Sequence, residues 1–146
     1  MIDKKLVYRK INLIGKDLQA LKPISQLSEK EYFKKLEYEI VTERYLERIV
    51  TRVIDINYHL IVEIGNPPPK DYFNSFVELG KIKILPYDFA RKMAQYAGLR
   101  NRLVHEYNNL DEKKVYQSSK SIVKDLPRYF KCIEKFIEEG KPKKLI

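Results

Sequence analysis

The chain has 146 residues, 44% of them hydrophobic and 34% charged, which fits one soluble globular domain with its own core. No apolar run approaches the ~18 residues of a membrane span, the charge-studded N-terminus is no signal or transit peptide, and the lone Cys132 excludes an internal disulfide or a cysteine zinc site, so a reducing cytoplasm is the expected setting. A net charge of +9, from 29 Lys and Arg against 20 Asp and Glu, fits a phosphate-rich or acidic partner as well as it fits a merely solvated surface.

Val7, Ile11, Ile14, Leu18 and Leu21 step by four and three and predict a first helix, which Pro23 is expected to end. Ser28, with Glu31 in capping-box spacing, opens the next. Its apolar positions run through Phe33, Leu36, Ile40, Ile49, Val53, Ile56, Leu60 and Ile64, a length that predicts a break near residues 34–37. Gly65 is read as its C-cap, and the prolines that follow forbid continuation. A short helix is expected over residues 71–79, stopping at Gly80, and Pro86 suits the first position of the helix after it. In that helix Phe89, Met93, Tyr96, Arg100, Leu103 and Tyr107 alternate steps of four and three. Asp111 is the expected N-cap of a last helix carrying Val115, Ile122, Leu126, Tyr129, Ile133 and Phe136, kinked at Pro127. Gly140 and the basic tail with Lys141, Lys143 and Lys144 follow. With no alternating strand pattern and no internal repeat, the fold class predicted is all-α: an antiparallel helical bundle, residues 1–146 forming a single domain.

Chemistry concentrates in GLRNRLVHEYNNL, residues 98–110. Arg100 occupies a slot in an apolar stripe, where a buried unpaired charge is very costly, so it must reach solvent, a partner or a cleft. On a continued helix Tyr107 falls nearly in line with Arg100, and Asn101 with His105 forms an i, i+4 pair. Guanidinium, amide, imidazole and phenol at one helix end suit phosphodiester chemistry without a metal. Arginine holds phosphate oxygens bidentately, and histidine, with an ordinary pKa of ~6.5, moves protons at neutral pH. The bland alternative is a solvated arginine with a capping histidine, and for Tyr107 a core aromatic. An arginine followed within a few residues by histidine is a weak pattern, since Arg52 and His59 meet it too. Those two read as structural, with Asp55 placed to hydrogen-bond His59. Glu43, Arg44, Glu47 and Arg48 read as a solvated face with i, i+4 pairs. The eleven tyrosines are scattered, and no cluster has metal-ligand spacing.

The fuller string RNRLVHEY resembles the motif of the HepT toxin branch of the HEPN ribonuclease superfamily: arginine, four residues, histidine, one residue, tyrosine. The long helix, proline-containing loop, short helix and motif helix resemble that family in order, over roughly residues 30–137. The resemblance implies a HEPN-like homodimer with the motif helices facing a cleft between subunits. It implies a metal-independent, cofactor-free RNase whose partner, an MntA-type minimal nucleotidyltransferase antitoxin, neutralises it by AMPylation. Residue by residue, it assigns Arg100 and His105 to catalysis, Asn101 to substrate binding and Tyr107 to AMPylation. Arg102 is basic where many relatives are apolar, and its direction stays open. The rival expectation is a non-catalytic helical subunit that holds a nucleotidyltransferase or nucleic acid.

Overall fold

The computed structural model describes residues 1–140, so the lysines of the tail lie outside the described residues. The helices are α1 (Lys4–Ser25), α2 (Glu29–Tyr32), α3 (Leu36–Ile64), α4 (Tyr72–Lys81), α5 (Tyr87–His105) and α6 (Glu112–Glu139), with a 3-10 turn over Tyr107–Asn109. No strand occurs among the described residues, and none of their helices is long and apolar enough to cross a membrane.

Local chemistry explains most helix starts. The side chains of Asp3, Ser28, Asp71 and Asp111 each accept a backbone N–H from the first turn they precede; such a cap is worth about 1 kcal/mol. Gly65 at φ 105° and Gly140 at φ 62° end α3 and α6 in the left-handed conformation that glycine adopts without a steric penalty.

Polar pairs between helices fix their directions. Asp3 with His59, Lys10 with Asp55 and Asp17 with Arg52 run α1 antiparallel to α3. Lys92 with Asp125 and Tyr96 with Ser121 run α5 antiparallel to α6. Tyr129 donates to Asn57 Oδ1 beside the C-terminal half of α3, while Glu112 and Glu43 interact near the N-termini of their helices, so α6 runs parallel to α3. The C-termini of α1 and α5 and the N-termini of α3 and α6 therefore gather at one end of the bundle. Central to it is α3, which touches α1, α4, α5 and α6 and buries Leu46, Ile49, Val53, Ile56, Leu60 and Ile61 among them.

Several boundaries and faces differ from the sequence expectation. Pro23 lies inside α1, which continues to Ser25: the proline forfeits one bond to the preceding turn, but so little helix follows that α1 is not broken, and Ser25 Oγ donates to the Lys22 carbonyl at 2.6 Å. Asp17, not Leu18, takes the fully inward slot of α1, because Arg48 and Arg52 reach its Oδ2 at 3.0 and 2.9 Å. The break near residues 34–37 is present, but it leaves α2 a single turn. Beyond it, Leu36 and Ile40 are 65% and 57% exposed rather than buried. Pro86 sits at the N-cap of α5 instead of its first helical position.

Gly80 does not stop α4; it is buried one residue before the helix end. A Cβ there would stand 2.8 Å from Ala90 Cβ and 3.3 Å from Tyr87 Cα, so α4 rests on α5 through bare backbone. Gly80→Ala should therefore destabilise the fold by about 1–3 kcal/mol through overpacking. Gly15→Ala, in open space on α1, should stabilise it by about 0.5–1 kcal/mol. Urea unfolding midpoints check both; equal shifts of one sign would contradict the close α4–α5 approach.

Candidate active site

The residues of the motif occupy the last two turns of α5 and the loop beyond it. Glu106, at φ −128°, ends the helix, and its N–H bonds the Arg102 carbonyl at 2.8 Å. Asn108 and Asn109 then favour a turn over further helix, so Tyr107 stands on the 3-10 turn and is 66% exposed. The continued helix that would have aligned Tyr107 with Arg100 is absent, and Tyr107 is not a core aromatic.

Arg100 is half-buried at the junction of α3, α4 and α5. Its Nε donates to Thr51 Oγ1 at 3.2 Å, and its guanidinium lies 5.1 Å from the centre of the Tyr72 ring. Ile54 and Asp55 complete the small cleft around it, and Asp55 is occupied by Lys10 at 3.2 Å. Among the described residues no carboxylate forms an ion pair with Arg100, so its Nη atoms keep their capacity for a bidentate acceptor. Sequence reasoning anticipated that this arginine needs a partner. It missed Thr51 and Tyr72, which come from two other helices and carry no local signal.

His105, the last residue of α5, and Asn101, one turn before it, are both exposed. His105 is five positions past Arg100, which places them about 140° apart around the helix and about 7.5 Å apart along it. One copy of the chain thus points the arginine toward the α3–α4 seam and the imidazole into solvent. Asn101 and His105 share a face; Arg100 does not share it.

The other arginine–histidine pair is consumed by structure. Arg52 is tied to buried Asp17, and His59 Nε2 accepts the backbone N–H of Asp3 at 3.0 Å. Asp55 serves Lys10 and not His59. Arg48 reaches Asp17, Arg44 pairs with Glu47 at i, i+3, and Glu43 is half-buried, so the predicted solvated face with i, i+4 pairs is not what forms. Of the two histidines, His105 is the one without a hydrogen-bond or ion-pair partner among the described residues.

A family profile described as HepT-like ribonuclease matches residues 14–133, which include the whole motif and the helices around it. The chain belongs to the HepT-like ribonuclease family. It is 33% identical over 136 residues to a protein of Aphanizomenon flos-aquae named tRNA nuclease HepT, covering 93% of this chain and 92% of that one. Among solved structures, a tri-AMPylated HEPN toxin of Shewanella oneidensis in complex with its MNT antitoxin superposes with a TM-score of 0.82 at 18% identity, over 91% of this chain and 99% of that one. A toxin–antitoxin complex with AMP-PNP gives 0.81 at 19% identity, over 90% and 99%. At such identities these two establish the shared all-helical fold.

Behind the motif loop of this HepT-like ribonuclease, Glu112 opens α6 facing Glu43 of α3. Glu112 Oε2 is buried with no hydrogen-bond partner among the described residues. Burial first, and then the Glu43 carboxylate, push the Glu112 pKa up to about 7; burial raises Glu43 as well. The pair resolves its repulsion by holding a proton between its two carboxylates. A pKa raised in the folded state means the native protein binds more protons than the unfolded chain between pH 4.5 and about 7. Stability from this pair is complete below that window and lost as pH rises through it. The melting temperature of Glu112→Gln should consequently fall less than wild type as pH rises across the window. Parallel pH profiles for the two proteins would refute the shared proton.

Proposed function

We propose that the chain is a HepT-type toxin that cleaves RNA without a metal, through Arg100 and His105, as a single domain over residues 1–146. The observation that carries this reading is the state of Arg100: positioned by Thr51 and Tyr72, in no ion pair among the described residues, on the same helix end as an exposed histidine. The substrate supplies the nucleophile. Its 2′-oxygen attacks the adjacent phosphorus while His105 accepts the 2′-hydroxyl proton, and the bond from phosphorus to the 5′-oxygen breaks. That oxygen takes up a proton, leaving a 2′,3′-cyclic phosphate and a 5′-hydroxyl. Arg100 offsets charge on the phosphate oxygens, and Asn101, on the face of His105, orients the imidazole or the phosphate. The 33% identical relative is named a tRNA nuclease, so tRNA is the substrate class proposed here.

Homodimerisation completes the site. A single chain offers one imidazole, about 140° around α5 from its arginine, whereas two copies bring two motifs to one cleft. Supporting this, Ile40 lies on the α3 face that continues through Arg44 and Glu47 to Thr51, and Leu36 and Ile40 expose apolar surface at the motif end of the bundle.

Tyr107 is the proposed control point. Its exposed phenol, two residues past His105, is open to an MntA-type nucleotidyltransferase that transfers AMP from ATP. Each AMP adds a bulky anionic phosphodiester beside the cleft, where it competes with RNA phosphate at high effective concentration. One co-expression experiment tests the whole reading. Wild type should arrest growth and cut tRNA, and Arg100→Ala and His105→Ala should each lose at least about a hundredfold in cleavage with the fold intact. Tyr107→Phe should cut RNA yet escape silencing by the nucleotidyltransferase. Full cleavage by both motif variants would overturn the catalytic assignment; silencing of Tyr107→Phe would overturn the control point.

A further inference from the structure

On the side of α5 away from Arg100, a groove of about 500 Å³ lies between α5 and α6. The two helices meet through long side chains rather than close backbones: Lys92 with Asp125, and Tyr96 with both Ser121 and Asp125. Toward the motif end this bridging stops and the groove opens, its lining including Arg102, Lys114, Gln117 and Ser118. Ala94 and Gly98, one helical turn apart, give it depth. A Cβ on Gly98 would stand 3.4 Å from Arg102 Nη1, so the Arg102 guanidinium lies over that glycine, within the groove. This settles the direction of Arg102, which the sequence left open.

The lining contains cations and neutral donors and no carboxylate. Lys92 is already neutralised by Asp125 at 3.0 Å. Arg102 and Lys114 form no ion pair among the described residues, so the groove keeps two uncompensated positive charges. Arg102 lies two residues from Arg100, and the groove leads toward the loop that carries Tyr107. A polyanion crossing the end of α5 past His105 would enter it.

We propose that this groove binds the sugar–phosphate backbone of the RNA substrate beyond the scissile phosphate, with Arg102 and Lys114 each contacting a phosphate. The inference rests on the RNase reading above. Binding of a labelled single-stranded RNA to His105→Ala, which prevents turnover, tests it by anisotropy between about 50 and 200 mM salt. Adding Arg102→Gln and Lys114→Gln together should weaken binding at least about tenfold at the lower salt and reduce the slope of log affinity against log salt by about 1.4, two single-strand phosphate contacts. Lys131→Gln, an exposed cation on α6 outside the groove, serves as the charge control and should leave the slope unchanged. Unchanged affinity and slope in the double variant overturn the groove while leaving the RNase reading standing. The groove is overturned likewise if the double variant binds RNA normally but no longer engages the nucleotidyltransferase, which assigns this surface to the protein partner. If His105→Ala binds no RNA even at low salt, the RNase reading itself fails and takes the groove with it.

Discussion

One buried amide organises the molecule. Asn57 is wholly buried in α3; the Tyr129 hydroxyl of α6 donates to its Oδ1 at 2.5 Å, and its Nδ2 donates to Ser75 Oγ of α4 at 3.2 Å. Ser75 Oγ in turn donates to the Tyr72 carbonyl at 2.7 Å. Leaving any of these groups without a partner in the core costs about 1–3 kcal/mol, so the chain of bonds fixes three helices relative to one another. Burial holds the Tyr129 phenol well above its ordinary pKa, which keeps it a neutral donor. The last link reaches the first residue of α4, whose ring supports the Arg100 guanidinium. Core packing and the candidate catalytic arginine are thus two ends of one connected structure.

Charge is sorted by the same logic. The two aspartates buried among the described residues, Asp17 and Asp125, each have cationic partners: Arg48 and Arg52 for one, Lys92 for the other, with the Tyr96 hydroxyl donating to Asp125 at 2.7 Å. These pairs set helix directions and consume their cations. Among the cations that form no ion pair among the described residues, three stand at the motif end: Arg100 inside the α3–α4 seam, and Arg102 and Lys114 across the helix. A chain with net charge +9 therefore aims part of its excess at one place, on both sides of one helix terminus.

Much of this was legible in the sequence, because much of it is local. Ser28, Asp71 and Asp111 cap helices by bonding N–H groups a few residues on, and Gly65 and Gly140 end them by conformational freedom, so position alone reveals both roles. The motif was legible for the same reason, being contiguous. Less visible were effects that depend on what lies opposite. Gly80 reads as a helix stop and serves instead as the contact with α5; Leu36 and Ile40 read as core and face outward. Asp17 carries no local signal of burial, which comes from two arginines of α3 placed beside it. That Arg100 needs company could be inferred from its slot in an apolar stripe, but Thr51 and Tyr72 are distant in sequence and appear only in the folded chain.

The chemistry assigned to Arg100 and His105 leaves a signature that hydrolysis by a metal-activated water does not share. Purified protein incubated with a tRNA transcript in excess EDTA, followed by mass spectrometry of the fragment ends, reads it directly. The account predicts cleavage in EDTA, with a 2′,3′-cyclic phosphate or its hydrolysed monophosphate on one fragment and a 5′-hydroxyl on the other. Fragments ending in 3′-hydroxyl and 5′-phosphate, formed only when a divalent ion is restored, would contradict it.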